Sequence, residues 1–556
     1  MEEKKTPTGS EKKNIKDAVV GFFKKLSKKQ LIIVISAVLV VAILVPVIIL
    51  VANGNKKPNA GPNHGGPQVT TPGNLNYELP EVVDMGGYTY RAYVRSNAQT
   101  GGDTMEDGNP SFYCEDFWVD PTQKDQIEND ALSFGVYTRN KEIEDNYNVK
   151  IRQISQTINQ VQEMQRFYQN SDRYDLTIIL AKAAATAATQ NLLTDLKNLP
   201  ALNLTHETYD QNSIRELSMA NKLYYLSGDM NISTMDSIAP MVVNLDRYEN
   251  FSEGIIEAFD NDPLYANVYN LVTAGKWTMD TMLKIAEIAT SDADTSDGVL
   301  GSSDQDNVGY FQYDQSAVYY FYGSGGRLTQ MTEEGSPEFV IGTQRNQDLY
   351  NYIYDNFHPN VRNIKYPHGF SGPRKTNFIT NANTLFTDMT LWDVRKDLYH
   401  NNSFVYGILP TPVYEEGDSY NSLVYFFNTV HLWAIPSLYQ DLEKAQIMMN
   451  VLSAYSNLKK ENSTMYGYYT KTLYFSVSPD PNARRVMDII KGSQVYDIAM
   501  LYDWGSWRTH LSELWYRLLP NEYGTLVSQM NAANGAVSQL EETIELFRNP
   551  GSIPQD

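Results

Sequence analysis

The segment YDLTIILAKAAATAATQNLLTDL, from Tyr174 to Leu196, decides the fold class. Its first part, Tyr174 to Leu180, is a near-continuous apolar run rich in β-forming residues, which predicts a buried strand. An alanine-rich stretch with helix-forming character follows at once. The segment therefore predicts a strand, a turn and a helix, the repeating unit of α/β proteins.

The same alternation continues on both sides of this segment. YTYRAYVRS (88–96) predicts a strand, and APMVVNL (239–245) predicts a buried one. In GKWTMDTMLKIAEIA (275–289), Thr278 can cap a helix that carries Asp280 in its first turn. Similar patterns recur in NTLFTDMTLWDV, FVYGILPTP and HLWAIPSLYQDLEKAQIMMNVLSAYS. An α/β fold with parallel-rich sheets is expected, and because a single core of this size is improbable, we expect two lobes.

Charge is distributed unevenly along the chain. The 556 residues include 45 Lys and Arg against 66 Asp and Glu, a formal charge of −21. Nine lysines against four acidic residues in 1–30, and two more lysines at 56 and 57, leave −28 on everything that follows. This excess repels phosphate polymers, so no nucleic-acid partner is expected. Cys114 is the only cysteine, so no intrachain disulfide can form, which is compatible with a bacterial surface protein.

An apolar run near the N-terminus predicts a membrane anchor. Residues 31–52 contain no charge over 22 positions, which as a helix spans roughly the 30 Å core of a bilayer. A cleaved signal peptide is the alternative, but the run is longer than usual and no small-residue cleavage site clearly follows. Lysines at 24, 25, 28 and 29 precede the run, so the positive-inside rule places tail 1–30 in the cytoplasm and the large domain outside the cell.

Two compositional features concern the rest of the chain. Residues 53–80 are rich in Gly, Pro and Asn, which predicts a flexible tether. The chain also contains 39 Tyr, and because tyrosine hydroxyls need partners, we expect most of these rings to be partly exposed or to line grooves. Exposed aromatic rings suit carbohydrate faces.

Several of these segments, taken in order, resemble the family 1 extracellular solute-binding proteins of ABC importers in Gram-positive bacteria. The resemblance covers nearly all of residues 80–548. Besides the segments quoted above, it includes NKLYYLSGDMN (221–231), ITNANTLFTDMTLWDVR (379–395) and FVYGILPTPVYEE (404–416). The order is similar to that of maltose-binding proteins, in which two lobes close on a sugar. The resemblance implies that lobe I holds 81–240 and 412–475, that lobe II holds 241–411 and 476–548, and that 549–556 form a tail.

The resemblance also implies ligand-binding residues in lobe II. Trp392 matches an aromatic platform, and its flat face can stack on sugar C–H groups; Asp388 lies in the same motif. Tyr322 and Arg327, around the glycine-rich turn GSGGRL (323–328), would lie near the opening. In MLYDWGSWRTHLSELW (500–515), Trp504 or Trp507 would close the site, with core packing as the alternative for both.

In lobe I, the same resemblance implies four polar residues in two ligand-contacting loops. These are Lys182, Asp229, Asn231 and Asp236. A carboxylate that accepts two sugar hydroxyls would orient the ligand, and a solvated loop is the alternative for each residue. Small residues at 181 and 183–185 replace the aromatic and charged residues of maltose binders, which argues against maltose itself and leaves another glycan open.

No known catalytic or metal-binding motif occurs in the sequence. It contains no G-x-S-x-G, H-E-x-x-H or Walker loop, and its seven histidines are scattered. SDADTSDGVLGSSDQD (291–306) resembles a calcium loop, but its glycine is one place late and the twelfth position is not Glu, so a solvated acidic loop is favoured. We therefore expect no enzyme activity, no cofactor and no metal.

The sequence thus predicts a membrane-anchored extracellular receptor that captures a carbohydrate by lobe closure. Its expected partners are the ligand, the permease subunits of an ABC importer, and the bilayer through residues 31–52. Two alternatives stay open. One is an orphan receptor or scaffold without a transport role, and the other is a glycan-processing enzyme, which would need paired carboxylates in a cleft.

Overall fold

The computed structural model describes residues 79–94, 114–155, 160–293, 305–313, 315–357, 368–369, 371–425, 430–457, 473, 480–508, 511 and 534–549. All of them belong to one compact unit, Pro67–Asp556. The tail, the apolar run at 31–52 and nearly all of the tether lie outside the described residues. Within the described ranges, no helix is long and apolar enough to cross a membrane. Most of the acidic loop at 291–306 also lies outside them.

The α/β prediction is confirmed, because strands and helices alternate along the described chain. The strands are β1 Tyr88–Val94, β2 Val149–Ser155, β3 Leu176–Leu180, β4 Met241–Asn244, β5 Val308–Tyr313, β6 Thr329–Met331, β7 Pro337–Phe339, β8 His368–Gly369, β9 Thr384–Asp388, β10 Tyr406–Leu409, β11 Ser422–Leu423, β12 His431–Ala434 and β13 Gln494–Val495.

The α-helices between them differ widely in length. They are α1 Lys124–Asn129, α2 Ala131–Tyr147, α3 Gln160–Gln169, α4 Ala181–Thr189, α5 Gln211–Glu216, α6 Ile232–Asp236, α7 Leu245–Asn250, α8 Ser252–Ala258, α9 Val268–Thr273, α10 Met279–Ile288, α11 Ser316–Gly323, α12 Gln344–Phe357, α13 Ser371–Lys375, α14 Leu391–Asp393, α15 Tyr399–Asn401, α16 Leu442–Ser456, α17 Pro481–Gly492, α18 Ile498–Tyr502 and α19 Asn534–Arg548. Short 3₁₀ segments occur at Leu196–Asn198, Pro263–Ala266 and Trp504–Ser506, and π-helical turns at Thr376–Thr380 and Val394–Leu398.

Two main sheets organise the described part of the chain. The first has the order β12-β3-β1-β2 and the second the order β10-β4-β9-β5-β8. β1 runs parallel to β2 and β3, and β5 runs parallel to β8 and β9. β12 in the first sheet and β4 in the second run against their neighbours. In each sheet all strands but one therefore point the same way, in line with the expected parallel-rich sheets, although the second sheet has as many antiparallel as parallel pairs.

The chain passes from the first sheet to the second and back. β1 to β3 belong to the first sheet, β4 to β10 include all strands of the second, and β12 returns to the first. A small two-stranded parallel sheet, formed by β11 and β13, joins the segment just before β12 to a later part of the chain. The last helices, α18 and α19, contact α4, the helix that directly follows β3 of the first sheet. The family resemblance instead implies that residues 476–548 belong to lobe II. The lobe boundaries stay a prediction.

Local sequence signals explain how the elements begin and pack. The side chain of Thr278 accepts a hydrogen bond from the backbone N–H of Thr281, so the predicted cap of α10 is confirmed. Gly309 of β5 faces α10 closely, and a Cβ atom there would lie 1.7 Å from the carbonyl oxygen of Ala286. Only glycine permits this approach of helix and strand.

Candidate functional site

The carboxyl ends of parallel strands in both sheets meet one crossover segment, residues 231–240. At the first sheet, the amide of Asn231 donates to the carbonyl oxygen of His431, which pairs with Leu180 at the end of β3. At the second sheet, the N–H of Met389 donates to the carbonyl oxygen of Pro240 over 3.2 Å, just beyond the end of β9. Ligands of open α/β sheets bind outside such carboxyl ends, which makes this region the candidate site.

An ion-pair cluster lies along the crossover segment. Nη2 of Arg395 lies 2.5 Å from Oδ2 of Asp236, and its Nη1 lies 2.9 Å from Oε2 of Glu115. Lys396 Nζ lies 2.9 Å from the other carboxylate oxygen of Glu115. Burial alone would raise the pKa of Glu115, but Arg395 and Lys396 together lower it below its usual value. The cluster joins the segment before α1, the crossover and the turn after α14.

Two aromatic rings and two cations lie at the carboxyl ends of β5 and β9. Trp392 in α14 is half-buried, and Lys375 Nζ lies 5.9 Å from the centre of its ring. Tyr313, the last residue of β5, is also half-buried, and the guanidinium of Arg374 lies 4.5 Å from the centre of its ring. A partly exposed indole at a strand end is available to stack on a ligand, as the sequence predicted for Trp392. The role itself stays a prediction.

Lys375 and Arg374 differ in how closely carboxylates pair with them. Lys375 Nζ lies 2.7 Å from Oδ1 of Asp393 and also contacts Asp397. Burial would lower the pKa of Lys375, but these two carboxylates raise it. Among the described residues, Arg374 has a single ion pair, a 3.5 Å contact with Asp393.

Asp388 ends β9 inside the protein rather than on its surface. Its carboxylate is buried and accepts hydrogen bonds from the hydroxyl groups of Tyr310, Ser316 and Tyr320, at 2.5, 2.5 and 3.2 Å. Burial raises the pKa of Asp388 despite these bonds. Because its oxygens are occupied by internal hydroxyl groups, Asp388 supports the strand ends and does not offer a free acceptor.

The lobe I candidates divide into paired and exposed residues. Asp229 is buried, lies 2.8 Å from Lys491 Nζ and accepts from the amide of Asn457. Asn231 is buried, and its side-chain oxygen accepts from the N–H of Ser233, so it caps α6. Lys182 is exposed in the first turn of α4, directly after β3. All three lie near the end of the first sheet, but only Lys182 is exposed.

Four of the predicted ligand-binding residues lie outside this region. They are Tyr322, Arg327, Trp504 and Trp507. Tyr322 is fully buried, and its hydroxyl donates to Asp497 over 3.0 Å, so it does not line an opening. Arg327 donates to the carbonyl oxygen of Tyr322 and to the side-chain oxygen of Asn421. The glycine-rich turn therefore packs inward, because Asp497 also accepts the N–H groups that follow it, those of Leu328 and Thr329.

The two C-terminal tryptophans follow the core-packing alternative. Trp504 is buried, its ring stacks on Tyr502 at a centroid distance of 5.0 Å, and its indole N–H donates to Thr543. Trp507 is buried as well. The contact of Trp504 with Thr543 supports the docking of the C-terminal helix α19.

Sequence reasoning missed the cationic residues of the candidate site. Arg395 and Lys396 directly follow the motif that carries Trp392, and Arg374 and Lys375 precede it by about one element. These residues could have been found, because basic residues on both sides of an aromatic motif are unusual in a strongly acidic chain. Glu115, by contrast, carried no signal. Within the described ranges, no group of three or more His, Cys, Asp or Glu side chains could hold a metal ion.

Comparisons with known proteins find similarity at the level of structure only. No protein-family model matches the chain, and no curated protein sequence matches it. A cyclo/maltodextrin-binding protein complexed with maltotetraose is 10% identical, with a TM-score of 0.47 over 84% of this chain and 98% of that one. MalX from Streptococcus pneumoniae, in complex with maltopentaose, is 15% identical, with a TM-score of 0.45 over 82% of this chain and all of that one. An ABC substrate-binding protein from Listeria monocytogenes, in complex with cycloalternan, is 12% identical, with a TM-score of 0.40 over 85% of this chain and all of that one.

Proposed function

We propose that this chain is a solute-binding protein that captures a carbohydrate between two lobes and delivers it to an ABC importer without covalent chemistry. The observation that carries the proposal is the convergence of both sheets on the crossover at 231–240. The chain enters the second sheet through this segment and returns to the first through β12. The carbohydrate class comes from the family that the order of the sequence segments resembles.

The arrangement suits closure by population shift. A ligand that contacts both sheets only when their ends approach one another favours the closed form by its difference in affinity. Trp392 and Tyr313 would supply flat apolar area from the second sheet, and Lys182 a hydrogen-bond donor from the first. The buried pairs of Arg395 with Asp236 and Glu115 would hold the crossover in place while the ligand binds.

Membrane anchoring forms part of the proposal and is supported by sequence. The 22 uncharged residues at 31–52 and the lysines before them favour a single helix with its N-terminus in the cytoplasm. Cell fractionation, followed by protease treatment of intact cells, tests this directly. Membrane-bound protein that external protease degrades is expected, and a shortened chain released into the medium would contradict a retained anchor.

Calorimetric titration tests the capture of a carbohydrate. The full chain in detergent is titrated with neutral and acidic mono- and oligosaccharides, and amino acids and short peptides serve as controls. We expect micromolar or tighter binding of one glycan class. A folded protein that binds an amino acid or peptide and no carbohydrate would refute the proposal, as would sustained release of a cleaved sugar product.

A further inference from the structure

Arg374 is a buried cation whose hydrogen bonds are incomplete. It is 1% exposed, yet among the described residues its Nε and Nη1 have no hydrogen-bond partner. Its third nitrogen, Nη2, lies 3.5 Å from Oδ2 of Asp393, which is longer than a normal N–H···O bond. Asp393 already lies 2.7 Å from Lys375 Nζ through its other oxygen. The charge and the donors of Arg374 are therefore only partly matched by described groups.

Two other buried arginines have hydrogen-bond partners on all three of their side-chain nitrogens. Arg139 is 2% exposed, and its three nitrogens donate to the side-chain oxygen of Asn140, the hydroxyl of Ser456 and a carbonyl oxygen. Arg395 is 6% exposed, and its nitrogens bond Asp236 and Glu115. Arg374 differs from both, and a buried unsatisfied polar group in a folded protein calls for an absent ion, water or ligand as its partner.

The position of Arg374 favours a ligand as that partner. Its guanidinium rests on the half-buried ring of Tyr313 at the carboxyl end of β5, the edge at which open α/β sheets bind ligands. The next residue, Lys375, lies beside the half-buried ring of Trp392. Stacking on Tyr313 holds one face of the guanidinium and leaves its edge for an acceptor.

A second buried carboxylate, that of Asp388, does not supply the missing partner of Arg374 either. The oxygens of Asp388 accept hydrogen bonds from Tyr310, Ser316 and Tyr320, so its effect on Arg374 is electrostatic. Burial raises the pKa of Asp388, which favours its neutral form and reduces this counter-charge.

We propose that Arg374 receives the carboxylate of an acidic sugar, so that the captured carbohydrate carries a uronic acid residue. This inference rests on the proposed function. A guanidinium stays charged in proteins, and a buried charge needs both an acceptor and a counter-charge. The hydroxyl of a neutral sugar supplies only the acceptor, whereas a carboxylate supplies both. Because the part of the chain after residue 57 carries −28, it repels polyanions, so one acidic residue fits better than a run of them.

A matched ligand series tests the inference on the unmodified full chain. Glucuronate is compared with glucose and with glucuronamide, which keeps the carbonyl acceptor but removes the charge. Galacturonate, galactose and galacturonamide form a second series, and cellobiouronate and cellobiose form a third pair. Affinities are measured by calorimetry in detergent at neutral pH and 150 mM salt. We expect at least one acid to bind about tenfold or more tightly than its neutral and amide counterparts, the order of a charge-assisted hydrogen bond.

The outcomes separate this inference from the proposed function. If neutral sugars bind as well as or better than the acids, the acidic ligand is refuted while carbohydrate capture stands. If the amides match the acids, the need for a counter-charge is refuted. If no sugar of any kind binds to folded protein, the proposed function fails, and this inference fails with it.

Substitution then assigns the effect to one residue. Arg374→Met should remove the roughly tenfold preference for the acid over its neutral and amide counterparts. Arg152→Met is the control, because Arg152 is an exposed arginine of β2 that pairs with Glu144. An unchanged preference for the acid in folded Arg374→Met would overturn the assignment. If that variant does not fold, the ligand series on the unmodified chain still decides whether the ligand is acidic.

Discussion

Arg395 and Asp236 form a close ion pair, with Nη2 2.5 Å from Oδ2, and both side chains are buried. The same guanidinium bonds Glu115 through Nη1. One arginine thus holds two carboxylates that lie more than a hundred residues apart in sequence. A buried pair of this kind stabilises little relative to apolar packing, but the loss of one partner is costly because it leaves uncompensated buried charge.

Replacing Arg395 with Met should therefore destabilise the fold. Asp236 and Glu115 would lose their shared partner, and we expect the free energy of unfolding to fall by about 3 kcal/mol. Urea unfolding followed by circular dichroism measures this. Arg152→Met is again the control, and its exposed pair with Glu144 should contribute less than about 1 kcal/mol. Equal effects of the two substitutions would show that the cluster has no special role.

Trp392 and Trp504 should respond to substitution in opposite ways. Trp392 is half-buried beside Lys375, whereas Trp504 is buried against Tyr502. Trp392→Ala should weaken carbohydrate binding by about 1 to 3 kcal/mol with little change in stability. Trp504→Ala should lower the free energy of unfolding by about 3 to 5 kcal/mol. Calorimetry and urea unfolding of both variants give the comparison, and unchanged affinity in folded Trp392→Ala would contradict its binding role.

The fold was easier to predict than the site, because the two depend on different information. A buried strand such as β3 is a near-continuous apolar run, and a cap such as Thr278 is a local signal. Both are readable without tertiary contacts. Tyr322 shows the limit: a tyrosine beside a glycine-rich turn suits an opening, but its hydroxyl instead meets Asp497, which lies 175 residues away.

Which charged residues form ion pairs with one another cannot be predicted from the sequence either. Asp229 and Asp236 were predicted as free carboxylates for a ligand, yet they meet Lys491 and Arg395. Charged residues are mostly exposed, so a loop position offers no reason to expect burial. Trp392 follows β9 in the same motif and is half-buried, so its predicted binding role stays a prediction that the structure leaves open.

Asp210 should make stability depend on pH. It caps α5 and accepts a hydrogen bond from the hydroxyl of Tyr496 over 2.8 Å. Burial raises the pKa of Asp210 to about 6, above its value of 3.8. The folded state therefore binds a proton more tightly than the unfolded state, so the contribution of Asp210 to stability is present below about pH 4 and is lost as pH rises to 6 and beyond.

Asp210→Asn tests that dependence. An amide can donate to the Tyr496 oxygen while that hydroxyl donates to Gln494, which it already contacts at 3.1 Å. The cap oxygen is retained, so the variant should fold. Between pH 4 and pH 7, the stability of the unmodified chain relative to the variant should fall by about 2 to 3 kcal/mol. Urea unfolding at several pH values measures the difference, and parallel pH profiles would rule out a raised pKa at this residue.

Tyr322→Phe should separate core packing from ligand binding. The hydroxyl of Tyr322 donates to Oδ2 of Asp497, which also accepts from the backbone N–H groups of Leu328 and Thr329. Removing one donor from a buried carboxylate should cost about 1 to 3 kcal/mol, because the hydrogen bond is to a charged group and the ring itself is kept. Affinity for the carbohydrate should stay the same, since the ring is fully buried. Urea unfolding and calorimetry on the same preparation measure both quantities. A loss of affinity without a loss of stability would show that Tyr322 contributes to ligand binding after all.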